Sequence, residues 1–386
     1  MSDLPLAGSD ILPPPALVTE GNAEPRPCAS PFGSPVLNAK IRSTPEDFFV
    51  EELPAFDASG EGEHLLLMIE KRGMNTAFVA QTIARWAGVP ESAVGYAGMK
   101  DRHAVTRQRF SVHLPGRESP EVSTLESDDL HVLSTLRHAR KLQRGALRGN
   151  RFKLVLREIV GERFAIEQRL AEIATRGFPN YFGEQRFGHG GGNLEAAQRM
   201  FEDANPSRKP AHSNADTSRK RRIPRDKRGI LLSAARSELF NRVLAARVVD
   251  GSWCRGLPGE LWMLSGTRSV FGPEPDPAAL AERIASHDVH ATGPLWGRGV
   301  LRTDAACRAL EESVLEPYET IRVGLEQAGL AQERRALCVV AAGLRWEWLE
   351  EQVMELQFEL PPGSYATSFL QSLGSTVDVA QQRIPG

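Results

Sequence analysis

Between residues 64 and 90 the spacing of apolar side chains changes period, and this change limits the possible folds more than any other feature of the chain. HLLLMIE (64–70) suits a strand. From Asn75 the spacing is helical, with Phe78, Val79, Ile83 and Trp86 on one face and Gly88 and Pro90 as stop signals. RFKLVLREIV (151–160) sets Phe152, Leu154 and Leu156 against Lys153, Val155 and Arg157, the alternation of a half-buried strand. Residues 162–176 turn helical again around Ile166, Leu170 and Ile173 and end at Gly177. A helix is expected over 231–249, strands near 260–271, and helices near 278–286, 304–314 and 317–328. VMELQFEL (353–360) alternates as a strand before PPGSYATSFLQSL becomes helical. This mixture, with no internal repeat, predicts an α+β protein rather than a βαβ series.

Two stretches interrupt the periodic segments. Residues 1–27, with LPPP and scattered Gly, Ser and Glu, read as a flexible extension that cannot repay its ordering entropy. Residues 189–230 run from HGGGN into a polar, Pro-interrupted loop of the length usually tied to function or mobility. With 386 residues, 41% of them hydrophobic, the chain can bury a full core and build two domains. Lys and Arg number 47 against 49 Asp and Glu, so nucleic-acid binding would rest on local patches. Such patches exist: residues 137–153 are basic without one acid, and 219–228 contain a single acid, whereas 346–360 are acidic.

Cys28, Cys254, Cys307 and Cys338 are scattered and form no C-x-x-C pair, which argues against a zinc site or a disulfide framework. No apolar run is long enough to span a bilayer, and MSDLPLAGSD lacks the pattern of a secretory signal. A reduced, cytoplasmic, soluble protein is expected. With neither a zipper nor a long apolar surface helix in view, a monomer is expected too.

Five segments carry side chains suited to chemistry. In GYAGMKDRHAVTRQRFSV (95–112), a strand-like stretch runs out into a loop at Gly98, and basic neighbours favour the carboxylate form of Asp101 as nucleophile or base. An isolated K-D-R is more often a solvated, salt-bridged loop. LQRGALRGNRF (142–152) offers cations for phosphates, two glycines for close backbone approach, and Asn150 as donor and acceptor to a base edge. Its alternative is a solvated basic face with Phe152 in the core. In STPEDFFVEEL (43–53), Phe48 and Phe49 must point to opposite faces of a strand, one into the core and the other free to stack on a base. NYFGEQRFGHGGGN (180–193) suits a nucleic-acid loop or, through Tyr181, Phe182 and Phe187, a plug between domains. PPGSYATSFL (361–370) sets Tyr365 at a turn before a helix, where packing is the commoner role. His189 has no second ligand at metal spacing, GHGGG lacks the ending of a P-loop, GPLWGRG (293–299) is not a dinucleotide fingerprint, and no G-x-S-x-G occurs.

Taken together and in order, PEDFFVEE, DASGEGEH, AGMKDRHAVTRQ, RKLQRGALRGNRF, FPNYFGEQRFG, LLSAARSELFN, GPLWGRG and LPPGSYAT resemble the TruD family of tRNA pseudouridine synthases. They span nearly all of residues 30–370. The resemblance implies a pseudouridine synthase fold, a mixed and largely antiparallel sheet with helices, interrupted by an inserted α+β domain. The expected division is a flexible extension over 1–27, a catalytic domain of 28–177 plus 345–386, and an inserted TRUD domain over 178–344.

The implied reaction is isomerisation of uridine 13 in the D-arm of tRNA, without cofactor or metal. Carried over by motif, Asp101 is the catalytic aspartate, Phe48, Asn150, Phe152 and Tyr365 receive the target uridine, and Lys100 and Arg42 are supporting cations. A base held in folded RNA must be flipped out at a cost of roughly a few kcal/mol, which aromatic stacking and edge contacts offset. The competing reading is a catalytically silent RNA-binding or RNA-folding protein, which needs the basic segments but not the aspartate. Tyr365 stands where the family often has Phe, and its hydroxyl requires a polar partner.

Overall fold

A computed structural model describes residues 29–204 and 223–382. The 1–27 extension, Cys28 and the first four residues of the 219–228 basic stretch lie outside them. In chain order, the first part holds β1 (Asn38–Ile41), β2 (Phe48–Pro54), β3 (His64–Arg72), α1 (Thr76–Ala87), β4 (Val94–Tyr96), β5 (Val105–His113), β6 (Leu130–His138), β7 (Leu147–Val160) and α2 (Arg163–Arg176). There follow β8 (Phe178–Pro179), α3 (Gly192–Ala204), α4 (Arg225–Val249), β9 (Glu260–Leu264), β10 (Val270–Glu274), α5 (Ala281–Ala285), β11 (Val289–Leu295), α6 (Ala305–Leu315), α7 (Glu319–Gln327), β12 (Glu333–Ala336) and β13 (Cys338–Val339). The last part holds β14 (Ala342–Glu350), β15 (Val353–Leu360), α8 (Ala366–Leu373), β16 (Ser375–Asp378) and α9 (Val379–Gln382).

The largest sheet runs β14-β15-β7-β2-β5-β3-β6, with β1 against β7, β16 against β1 and β4 against β5. Only β2·β5 and β1·β16 are parallel among its pairings, so it is the mixed, largely antiparallel sheet that the resemblance implies. Strands from both ends of the chain interleave in it, because β15 pairs with β7 and β16 with β1. A second, antiparallel sheet, β10-β9-β11-β12, belongs to the middle of the chain, with α3, α4 and α7 packed around Phe201, Leu239 and Leu325.

Alternation decides which face of the large sheet is dry. Phe48, Val50, Leu154, Leu156, Leu356 and Phe358 are buried under Ile166, Leu170 and Phe369 of α2 and α8. Leu65, Leu67 and Ile69 continue the dry face under Val79 and Ile83 of α1. The other face is a ladder of ion pairs: Arg151 with Glu51 and Glu359, Lys153 with Glu355, and Arg107 with Glu70. Arg151 and Lys153, two cations of the first basic stretch, are therefore spent on the sheet itself.

Helix α1 begins where expected. The Asn75 side chain accepts the Phe78 amide at 2.7 Å, and Gly88 closes the helix at φ 60°, a conformation open to glycine. Phe78, expected on the packed face, is instead 47% exposed. The small residues Ala80, Ala84 and Ala87 fill the stripe with Val79 and Ile83, which turns Phe78 outward. Helix α4 starts six residues earlier than the 231–249 reading, because its first turns are charged and exposed and show no apolar period. Tyr181, Phe182 and Phe187 are all buried, and the Phe182 ring meets Phe240 of α4 edge-on at 5.5 Å. They plug a seam rather than line an open loop.

Candidate active site

Asp101 sits on the loop between β4 and β5, and that loop is fastened at four places. Gly145 N–H donates to the Ala97 carbonyl at 2.7 Å, and the Gln108 side-chain amide to the Gly98 carbonyl at 2.6 Å. Lys100 N–H donates to Thr76 Oγ1 at 2.9 Å, and Gly73 N–H to the Ala104 carbonyl at 3.2 Å. Thr76 in turn donates to Gln108 Oε1 at 3.1 Å, which closes a buried link between α1 and β5. The Asp101 side chain, 37% exposed, is presented from a backbone that has little freedom left.

One side of Asp101 is occupied by Arg42. Its Nη2 donates to Asp101 Oδ2 at 2.9 Å and its Nη1 to Asp378 Oδ2 at 2.6 Å, while the guanidinium lies 3.7 Å above the Phe48 ring. Register explains the second carboxylate, because β1 and β16 run parallel with Ile41 opposite Asp378. Arg42 holds φ 54°, a left-handed conformation that costs a non-glycine residue of order 1–3 kcal/mol. Two charge-assisted bonds and a stacked ring offset that cost and fix the cation where it is.

Lys100 points the other way. Its Nζ donates to Glu52 Oε2 at 3.0 Å and to Asn150 Oδ1 at 2.9 Å, and register sets Glu52 opposite Asn150. The bond to Lys100 fixes the oxygen of the Asn150 amide and leaves its NH2 to point away from the cation. Gly149 is required beside it: a Cβ there would lie 2.5 Å from the Leu360 carbonyl. Phe152, one step along the same face, stacks on Phe358 at 5.4 Å and meets Phe48 edge-on at 6.4 Å.

The structure thus joins Arg42, Phe48 and Asp101 directly, and Lys100 with Asn150, while Phe152 reaches the first group through Phe48. Phe48 is only 2% exposed, with Arg42 as its lid, and Phe49 faces the charged side under Arg107. Tyr365 stands apart. Its hydroxyl meets Arg186 Nη2 at 2.5 Å and its ring lies 6.2 Å from Phe182, in a cluster with Arg335, which stacks on Phe182 at 4.1 Å and bonds the Asn180 side chain. The hydroxyl has the polar partner it requires. Burial pushes the Arg335 guanidinium down to about 10, partly offset by Tyr365. The link from this cluster to Asn150 runs through Leu360, which pairs with Asn150 and lies five residues before Tyr365.

An aspartate on a braced loop, a guanidinium against it, and an amide and aromatic rings on the sheet below form an arrangement suited to holding a planar base beside a carboxylate. The model of the family tRNA pseudouridine synthase D (TruD) matches residues 32–197 and 209–373. The chain belongs to the TruD family. A tRNA pseudouridine synthase D of Xanthomonas campestris pv. campestris is 57% identical over 351 residues, covering 90% of this chain and 95% of that protein. One from Methylococcus capsulatus is 46% identical over 341 residues, covering 88% and 92%. A crystal structure from Methanosarcina mazei that bears the TruD name superposes with a TM-score of 0.70 at 21% identity, over 92% of this chain and 97% of that one, and agrees in fold.

Four side chains in this TruD family member were not singled out from the sequence. Glu52 and Lys71 are detectable there: each continues the apolar face of an alternating strand, Phe48-Val50-Glu52 and Leu65-Leu67-Ile69-Lys71, and a charge on such a face needs a reason. Asp378 and Gln108 give no such signal. Among the described residues no group of three or more His, Cys, Asp or Glu is gathered as a metal centre, and Cys254, Cys307 and Cys338 are free. No described helix is long and apolar enough to cross a membrane.

Proposed function

We propose that this protein isomerises uridine 13 in the D-arm of tRNA to pseudouridine, with Asp101 as the reacting carboxylate. The observation that carries this reading is the partly exposed Asp101 side chain on its braced loop, 2.9 Å from Arg42. In the reaction the N1–C1′ bond breaks, the uracil turns, and a C5–C1′ bond forms. C5 loses a proton and N1 gains one, so the change is an isomerisation and needs no redox partner. A carboxylate serves by attacking C1′, by attacking C6 or by removing the C2′ proton. The target base must leave the RNA stack to meet it.

Asn150 offers its amide to the base edge, Phe152 and Phe48 wall the site, and Tyr365 closes it from the far strand end. Phe48 backs the site from beneath the Arg42 guanidinium, which lies on its ring while bonded to Asp101. The exposed Arg140 and Arg148, with Arg225 and Arg228 at the start of α4, are suited to tRNA phosphates. In the division we favour, 28–177 and 345–386 form a catalytic domain, 178–344 an inserted tRNA-gripping domain, and the protein works as a monomer.

Pseudouridine mapping on unmodified tRNA transcripts, wild type beside Asp101→Asn, tests the reading. Modification at position 13 by wild type alone is expected. Equal modification by both proteins would refute the role of Asp101. Tight tRNA binding without modification by either would make the protein an RNA binder only.

A further inference from the structure

The mechanism above leaves the buried ammonium of Lys71 unused. Lys71 ends the row Leu65, Leu67, Ile69 on the dry face of β3 and is 1% exposed. Register sets it opposite Thr106, Thr106 opposite Val50, Val50 opposite Phe152, and Phe152 opposite Phe358. One row of the sheet therefore leads from this ammonium to the aromatic floor of the site. Its Nζ donates to the Met74 carbonyl at 2.6 Å, just before the cap of α1. Met74 accepts one of its three protons. The neighbouring Thr106 hydroxyl is buried without a hydrogen-bond partner among the described residues.

We propose that Lys71 is a positioning residue for Asp101: a buried cation beneath the loop that, together with Arg42, holds the carboxylate in place while the base is detached and turned. This rests on the reading of Asp101 as the reacting group.

The charges around Lys71 are few. Burial pushes its ammonium down to about 8, the field of Asp101 opposes that shift, and Lys100 adds to it. On its own strand Glu70 and Arg72 face the other side, paired with Arg107 and with Glu46 and Asp129. From β6 it meets Leu130 and from β5 Thr106, neither of which has a charge. The turn that Lys71 holds at Met74 is itself bonded to both sides of the Asp101 loop, through Gly73 N–H to the Ala104 carbonyl and through Thr76 Oγ1 from Lys100 N–H, so Asp101 is the acidic group carried on the segment above this ammonium. A lysine kept only to tie down Met74 needs a donor and not a charge, and that difference makes the two roles separable.

The experiment is single-turnover pseudouridine formation on a tRNA transcript across pH, for wild type, Lys71→Met, Lys71→Gln and Asp101→Asn, with tRNA affinity measured alongside. For wild type the rate should fall about eightfold from pH 7.5 to 9 as the ammonium loses its proton. Lys71→Met and Lys71→Gln should be slower by at least about tenfold at pH 7.5, flat across this range, and unchanged in tRNA affinity. The proposal is overturned if either variant comes within about threefold of wild type, or keeps the wild-type alkaline fall. Recovery in Lys71→Gln alone would leave only the bond to Met74. A wild-type rate that does not fall overturns it without any variant, even where both fail to fold. Activity in Asp101→Asn would instead refute the reading on which the proposal stands.

Discussion

The Arg42 guanidinium touches an Asp101 oxygen at 2.9 Å from a backbone held at φ 54°, so the cation beside this carboxylate is placed by strain as well as by charge. It also bonds Asp378 and covers Phe48. Three partners in three directions require a planar fork, which a lysine cannot offer. Arg42→Ala should lower single-turnover pseudouridine formation by about a hundredfold with little change in tRNA affinity, and Arg42→Lys should recover less than about a tenth of it. Full activity in Arg42→Lys would show that a point charge suffices.

The pairing of Lys100 with Glu52 gives a second expectation. Both side chains are almost wholly buried, and the same ammonium fixes the Asn150 amide. Removing the carboxylate in Glu52→Ala leaves a buried cation without compensation, a change that typically costs about 3–5 kcal/mol. Denaturant unfolding should show that loss. Glu52→Gln, which keeps the acceptor, should unfold closer to wild type yet react more slowly, because Asn150 is then held less firmly.

How much of this was readable beforehand differs by residue for physical reasons. The Asp101 loop, the α1 cap at Asn75 and the alternation of β7 are local, so a short window of sequence contains them. Glu52 and Lys71 were readable too, as charges on an apolar row, but only once face is weighed along with identity. Asp378 was not, because it meets Arg42 across 336 positions through a parallel pairing that no local pattern announces. Phe78 misled for the opposite reason: helical spacing admits it, and only packing shows that the alanines own the buried stripe.

The middle of the chain offers a test of stability separate from the site. Arg247 and Glu260 are both wholly buried and 2.6 Å apart, with Ser252 as a further partner of the guanidinium. Beside them Arg334 and Glu311 repeat the arrangement at 2.6 Å. Glu260→Ala should destabilise by about 3–5 kcal/mol, whereas Arg247→Met with Glu260→Leu should come out near neutral, since the cost lies in the orphaned charge. Equal losses in both, read by denaturant unfolding, would mean that the hydrogen bonds matter more than the charge balance.

Affinity for tRNA should depend on salt through the cations the sheet does not use. Arg151 and Lys153 are tied to Glu51, Glu359 and Glu355, but Arg140 and Arg148 are exposed. Replacing either by alanine should weaken binding and lower the slope of log affinity against log salt by about 1, leaving the bound-state rate unchanged. Arg151→Ala should change the slope less. The reverse order would place the RNA on the charged face of the sheet.

Lys71 makes the last expectation, because a buried ammonium costs stability in a defined pH window. Its pKa falls from 10.5 in the unfolded chain to about 8 in the fold, so between these values the unfolded state binds more protons and stability rises with pH. Below pH 8 the cost is fully present, on the order of 3 kcal/mol for the whole shift. Lys71→Met removes it but forfeits the bond to Met74, worth about 1 kcal/mol, so a net gain of roughly 1–2 kcal/mol is expected at pH 7. That gain should shrink as pH rises from 8 and vanish near about pH 10, where the remaining cost of the buried ammonium only matches the lost bond of about 1 kcal/mol. Chemical unfolding of the two proteins at pH 7 and 10 measures it. A variant that is more stable yet slower would show that the charge is kept for Asp101 and at the expense of the fold; a variant less stable at both pH values would mean that Lys71 holds α1 and β3 together.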